Sequence, residues 1–290
     1  MDPGISRVTE ATPAARVLTD LRIYPVKSLR GVPTREAEVE PWGLRHDRRW
    51  LVLDPDGKVL TARDHHTMLS VTAFPQCDGA IQLRSRDRFT LKVCPPLEGV
   101  ILATSLSRLE SVRSAGAGAD EWLSRELGRP VRLDWLDDPQ RRTVSEAHGG
   151  LPGDHLNLSD AGPLLLTARA SLRQLNDWAA EDATRRGDLP SAPIVMTRFR
   201  PNVVLDGPDE PFAEDNWSSL RIGSVEFRLG ERCDRCVLTT IDPDTWIGGE
   251  EPLRTLAKHR NWDHHTWFGI RIIPLTTGRI RTGDPVLVAR

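Results

Sequence analysis

The chain has 290 residues, enough for one large domain or two moderate ones with a filled core. Its 39 basic and 41 acidic residues nearly cancel, which argues against a nucleic-acid surface or a polybasic membrane anchor. Four cysteines do not make a disulfide framework, and neither a signal-peptide core nor an apolar run of about 18 residues is present, so a cytoplasmic protein without a membrane span is expected.

In chain order, LTDLRIYPVKS (18–28) alternates as a strand and turns at Pro25. RRWLVLDPDGKVLTAR (48–63) predicts a hairpin around Asp54-Pro55-Asp56-Gly57, and AIQLRSRDRFTLKV (80–93) predicts a second. The small residues of SAGAGAD lead into a short helix, DEWLSRELG, with Asp120 near its start and Gly128-Arg129-Pro130 as its stop. From residue 138 periodicity is lost and breakers accumulate, which sets an expected boundary between domains 16–137 and 138–290. A buried strand at 164–166 and a helix over about 168–185 follow, with Leu172, Leu175, Trp178 and Ala179 on one helix face. RFRPNVVLDG and LRIGSVEFRLG read as strands, EPLRTLAKHR as a helix with Pro252 early in it, and GDPVLVA as the last strand. Many short strands with few helices predict a β-rich α+β fold centred on a β-barrel.

ERCDRCVLTTIDPDT (231–245) holds two cysteines at CxxC spacing. A structural zinc needs four ligands, yet Cys77 and Cys94 form no second pair, and His264-His265 would have to arrive from a distance. A redox dithiol sits at a helix N-terminus, whereas the β-branched run after Cys236 reads as strand. If 233–240 are extended, Cys233 and Cys236 point to opposite faces and do not share an ion. Two alternatives remain: two ordinary small residues, or one functional thiolate favoured by Arg232 and Arg235 and suited to a soft, redox-active metal.

Elsewhere the chain carries groups suited to a phosphorylated ligand. Only four of the 39 basic residues are lysines, so Lys27 beside Ser28 at the end of a strand stands out. RHDRRW supplies Arg48 just before a strand. NLSDAGPLLLT supplies Ser159 and Asp160 next to Ala161 and Gly162, where backbone N–H groups can approach a ligand. RFRPN supplies Arg200 and Asn202, stiffened by Pro201. Taken singly, each is as well explained by a solvated surface.

In this order, YPVKSLRG, DRRWLV, TAR, SDAGPLLLTARASLRQLN, FRPNVV, EDNW, CDRCVLTTIDPDT and GDPV resemble the MOSC family (molybdenum cofactor sulfurase C-terminal domain) with its N-terminal β-barrel domain. Within that family the pattern is similar to the amidoxime-reducing components and their bacterial counterparts, over about residues 21–288. The resemblance implies a MOSC barrel core, a MOSC N-terminal barrel-like domain and a cofactor cleft between them. It implies that Cys236 is the protein ligand to molybdenum, with Cys233 a bystander. It also implies that Lys27, Ser28, Arg48, Ser159, Asp160, Arg200 and Asn202 hold the pterin and its phosphate, with Arg235 in the same region.

The function so implied is a molybdenum-cofactor-dependent oxidoreductase that reduces N-hydroxylated small molecules through a mono-pyranopterin cofactor. A carrier of the cofactor, or a sulfur-transfer protein, is the alternative. No CxxxxCxxC cluster motif is present, so a separate flavoprotein, iron–sulfur or haem protein is expected to deliver electrons. Two features depart from the family pattern. Trp246 and Ile247-Gly248-Gly249 follow DPDT, a loop expected near the substrate entrance, and Asp234 places a carboxylate between the cysteines. Asp242 and Asp244 are candidate proton donors, although DPDT is also a good turn sequence.

Overall fold

The protein is described here by a computed structural model covering residues 15–188 and 192–289. It is β-rich α+β, as expected, with four sheets and three α-helices among the described residues. The main sheet has nine strands. Its order runs Val286–Ala289, Ser219–Ile222, Val225–Asp234, His265–Pro274, Leu164–Ala168, Val203–Asp206, Val17–Ile23 and Val32–Thr34, with Asn261–Trp262 paired off this path. The N-terminal strand thus belongs to a sheet built mostly by the C-terminal half, pairing Leu21 with Val203 and Val17 with Asp206. Leucine, valine, isoleucine and phenylalanine at alternate positions fill the core beneath it, among them Leu18, Leu21, Leu166, Val203, Phe227 and Ile272. The ladder ends in edge strands, and an isolated bridge from Val17 to Pro285, flanked by backbone hydrogen bonds from Leu18 to Asp284 and from Val286 to Arg16, ties the strand Val17–Ile23 to the segment that leads into Val286–Ala289.

A second core lies over the N-terminal half. Trp50, Val52, Met68, Val71, Leu83 and Trp122 pack there between the strands Trp50–Leu53 and Ile81–Arg84 and the helix α1 (Ala117–Leu127). Gly128 closes α1 in the left-handed conformation that a β-carbon disfavours, as its sequence predicts. The helix begins three residues before Asp120, whose carboxylate instead accepts the Leu133 N–H. Helix α2 (Arg169–Arg186) turns Leu172, Leu175, Trp178 and Ala179 onto Phe199, Phe212 and Phe268, as its periodicity predicts. Helix α3 (Leu253–His259) begins directly after Pro252. No helix among the described residues is long and apolar enough to cross a membrane.

Two expected elements are corrected. The 48–63 hairpin keeps only its first arm as a strand, Trp50–Leu53. Those four side chains are all buried, so the strand needs neighbours on both sides, and its ladder partner is Arg132–Trp135. The return arm contributes one bridge, Leu53 to Val59. The stretch after Cys236 is a 3-10 turn, Val237–Thr240, and not a strand. The hydroxyls of Thr239 and Thr240 donate to the carbonyls of Cys236 and Val237 at 2.9 and 2.8 Å, a local bond that competes with extension.

These turns set the cleft. The chain leaves the main sheet at Asp234 and crosses to the N-terminal core, where Ile241 is buried with Leu238 and Trp246 against it. A second crossing runs from Ile23 in the sheet core to Val26 and Leu29 in the N-terminal core. The residues singled out in the sequence line the space between the two crossings.

Candidate functional site

All nine singled-out residues line one cleft of about 140 Å³: Lys27, Ser28, Arg48, Ser159, Asp160, Arg200, Asn202, Arg235 and Cys236. Three of them stand at positive φ, Ser28 at 68°, Arg48 at 48° and Arg200 at 55°. Non-glycine residues adopt that conformation at a cost of order 1 kcal/mol, and such strain concentrates at sites the surrounding structure holds in place. Nothing in their residue types signals it.

Lys27 is buried, and its Nζ donates to the Leu158 carbonyl at 2.9 Å and to Asp160 Oδ1 at 2.5 Å. Burial lowers the lysine's pKa against the pull of Asp160. The lysine's charge in turn holds the Asp160 carboxyl well below the usual range. Arg48 donates from Nη1 to Asp47 Oδ2 at 2.5 Å and to Asn202 Oδ1 at 2.9 Å. Asn202 is buried, also accepts the Leu165 N–H, and donates to the Arg22 carbonyl. Arg200 donates to the Leu29 carbonyl at 2.8 Å, and burial lowers its pKa to about 10. Ser159 donates its hydroxyl to the Gly162 carbonyl at 2.6 Å.

Five cationic side chains line the cleft, Lys27, Arg48, Arg200, Arg235 and Arg271, against two carboxylates, Asp160 and Asp234. Asp234 is engaged by Arg271 Nη2 at 2.6 Å, so the carboxylate between the cysteines is paired. The Nε of Arg235 is buried without a partner among the described residues. Gly162 lets the backbone come against the Arg271 stem, because a β-carbon there would lie 2.8 Å from Arg271 Cβ. Excess positive charge and an unmatched donor suit an anionic, acceptor-rich ligand such as a phosphorylated pterin.

The cysteines are arranged differently from the extended expectation. Cys233 and Cys236 line the same cleft, because the strand stops at Asp234 and the 3-10 turn begins after Cys236. Arg235 Nη1 donates to the Sγ of Cys233 at 2.8 Å and Nη2 to the Phe199 carbonyl at 2.8 Å. Arg232 lies outside the cleft, 3.5 Å from Asp215 and 5.8 Å over the Trp262 ring. Neither arginine therefore donates to Cys236, whose Sγ makes no hydrogen bond among the described residues. Cys233 is buried, Cys236 half-buried, and all four cysteines are free. His264 and His265 do not line the cleft, and no group of three or more His, Cys, Asp or Glu among the described residues is placed to hold a metal. Asp242 caps the turn that its sequence suggests, accepting from Thr245 N at 2.9 Å and Asp244 N at 3.0 Å.

Several supporting groups carry little or no signal in the sequence. Asp47, fully buried, accepts from Tyr24 N, Arg48 and Asn157. Its place directly before Arg48 was the available signal. Arg142 is 1 % exposed and holds the Asn157 and Ser159 carbonyls from below, yet it lies in a stretch without periodicity and carried no signal. Tyr24 is buried with Arg200 and Arg48 over its ring at 4.4 and 4.8 Å.

Two family descriptions match the chain. Residues 15–130 match the MOSC N-terminal beta barrel domain and residues 153–287 match the MOSC domain. The chain is 32 % identical over 289 residues to mitochondrial amidoxime-reducing component 1 of Homo sapiens, covering 93 % of this chain and 82 % of that protein. It is 34 % identical over 286 residues to mitochondrial amidoxime reducing component 2 of Homo sapiens, covering 92 % and 81 %. Molybdenum cofactor sulfurase of Danio rerio is 31 % identical over 254 residues, covering 84 % of this chain and 30 % of that protein.

Proposed function

Since the chain belongs to the MOSC-domain family, with the MOSC N-terminal beta barrel domain ahead of the MOSC domain, we propose that it is a molybdenum-cofactor-dependent oxidoreductase reducing N-hydroxylated small molecules. The observation that carries this proposal is the pairing, in one cleft, of a cationic cradle with a half-buried thiol that has no hydrogen-bond partner among the described residues. Relatives named for amidoxime reduction align over most of the chain and support it.

When bound, mono-pyranopterin molybdenum supplies the two-electron redox change. Lys27, Arg48 and Arg200 are cations placed to hold the phosphate, and Ser28, Ser159 and Asn202 offer neutral donors and acceptors to the pterin. Cys236 supplies a soft thiolate ligand. Asp160 keeps Lys27 oriented, and Arg142 fixes the Asn157–Ser159 backbone from behind. Tyr24, between Arg48 and Arg200, fills the wall that keeps water from these guanidinium groups. Electrons come from a separate redox protein.

The test is whether the cofactor-loaded protein oxidises a reduced dye when benzamidoxime is added. Turnover that is lost in Cys236→Ala is the expected result. Silence with tightly held molybdenum would favour the second reading, a cofactor carrier or sulfur-transfer protein, which the alignment with a molybdenum cofactor sulfurase supports.

A further inference from the structure

The Cys236 cleft shares Arg200 and Leu238 with a larger cavity of about 400 Å³, walled by Tyr24, Leu69, Phe74 and Ile241. That cavity shares Arg30, Leu69, Thr72, Arg84 and Asp244 with an outer one of about 590 Å³. The inner space sets these aromatic and aliphatic side chains beside Arg22, Arg30, Arg84, Arg198 and Arg200, and the outer one carries Arg86 and Arg88 in addition to the shared Arg30 and Arg84. Arg84, Arg86 and Arg88 enter it from the hairpin formed by Ile81–Arg84 and Thr90–Val93. Among the described residues none of the three pairs with a carboxylate. Arg84 lies 4.4 Å over Phe74 and Arg86 5.1 Å over Trp246, so both guanidinium groups keep their N–H edges free.

Ser85 lines the same outer cavity. It is 5 % exposed, and its hydroxyl is buried without a hydrogen-bond partner among the described residues. Buried hydroxyls are nearly always bonded, so this one is free to take a partner. The carboxylate in the lining, Asp244, is engaged by Arg30.

We propose that the outer cavity is an anion seat, and that its ligand is a small molecule with a flat apolar body ending in a phosphate or carboxylate. The body lies against Phe74 and Ile241, and the anion is held by Arg84, Arg86 and the Ser85 hydroxyl. The inference rests on the reductase proposal only in making this ligand the substrate, with its N-hydroxylated end toward the Cys236 cleft.

The experiment is calorimetric titration of the full chain, made in a cofactor-producing host, with 1-naphthyl phosphate, 1-naphthoate and neutral 1-naphthol. Either anion should bind on the order of tenfold more tightly than the naphthol, the size of one or two charge-assisted hydrogen bonds. The tighter of the two identifies the anion. That preference should collapse in Arg84→Gln/Arg86→Gln and weaken in Ser85→Ala, substitutions outside the cofactor cleft. Equal binding of all three probes, or an anion preference unchanged in the double variant, would overturn the seat. Anion preference with the expected loss in the variants, in a protein that reduces no amidoxime, would leave the seat standing and remove only the reductase assignment.

Discussion

Arg235 donates to the Sγ of Cys233, its neighbour two residues back, at 2.8 Å, and leaves the adjacent Cys236 without a donor. The two thiols of one CxxC motif therefore have different work. Cys233 is 7 % exposed and helps hold an arginine, whereas Cys236 is half-buried at the cleft with its sulfur free.

That division predicts different reactivity. In cofactor-free protein, iodoacetamide should modify Cys236 on the order of tenfold faster than Cys233, since access governs alkylation when neither thiol is blocked. Trypsin cuts after Arg235 and separates the two cysteines for mass spectrometry. Arg235→Ala should leave the Cys236 rate nearly unchanged, because the arginine donates to the sulfur of Cys233 and not to that of Cys236. Equal rates in the parent protein would contradict the assignment.

Gly31 lies against Tyr24 so closely that a β-carbon would fall 2.3 Å from its ring and 2.6 Å from the Ile23 carbonyl oxygen. Gly31→Ala should therefore displace the ring that Arg48 and Arg200 cover, at roughly 2 kcal/mol as overpacking costs. Gly118 in α1 is the control. A β-carbon there meets nothing within 4 Å, so Gly118→Ala should stabilise by about 0.5–1 kcal/mol. Urea midpoints moving in the same direction for both variants would argue against this packing.

Glu214 is fully buried beside the Ser171 hydroxyl, and burial pushes its carboxyl up from 4.5 to about 7. Between those values the folded chain holds a proton that the unfolded chain has released. Its contribution is therefore present below pH 4.5 and is lost as pH rises toward about 7. The stability of wild type relative to Glu214→Gln should fall by up to about 3 kcal/mol across that window and stay flat above it. A relative stability that rises with pH would mean that the carboxyl is not held protonated.

Asp242 was a candidate proton donor in the sequence, and its surroundings argue otherwise. Hydrogen bonds from the Thr245 and Asp244 backbone, with Arg198 nearby, hold its carboxyl below the usual range. It is ionised at neutral pH and caps a turn. Asp242→Asn should keep the amidoxime-reducing rate within about threefold while losing about 1 kcal/mol of stability with the altered cap. A hundredfold rate loss in a folded variant would restore the proton-donor role.

The strand-rich class and the apolar face of α2 were legible in alternation and periodicity, and the residues of the cleft in ordered motifs that resemble one family. Cys236 and Lys27 stood out for their chemistry. What stayed hidden was decided by tertiary contacts. The 237–240 run is β-branched and reads as strand, but two threonine hydroxyls bond to the backbone and turn it. The strand ends at Asp234, so Cys233 shares the cleft with Cys236, which strand alternation alone denied it. Arg142 supports the Ser159 backbone from a stretch without periodicity, so no local pattern announced it.

Elemental mass spectrometry of protein from a cofactor-producing host decides whether one thiolate holds the metal. Wild type and Cys233→Ala should carry near-stoichiometric molybdenum, and Cys236→Ala should carry almost none. Molybdenum lost equally from both variants, or zinc in its place, would contradict a single ligand at Cys236.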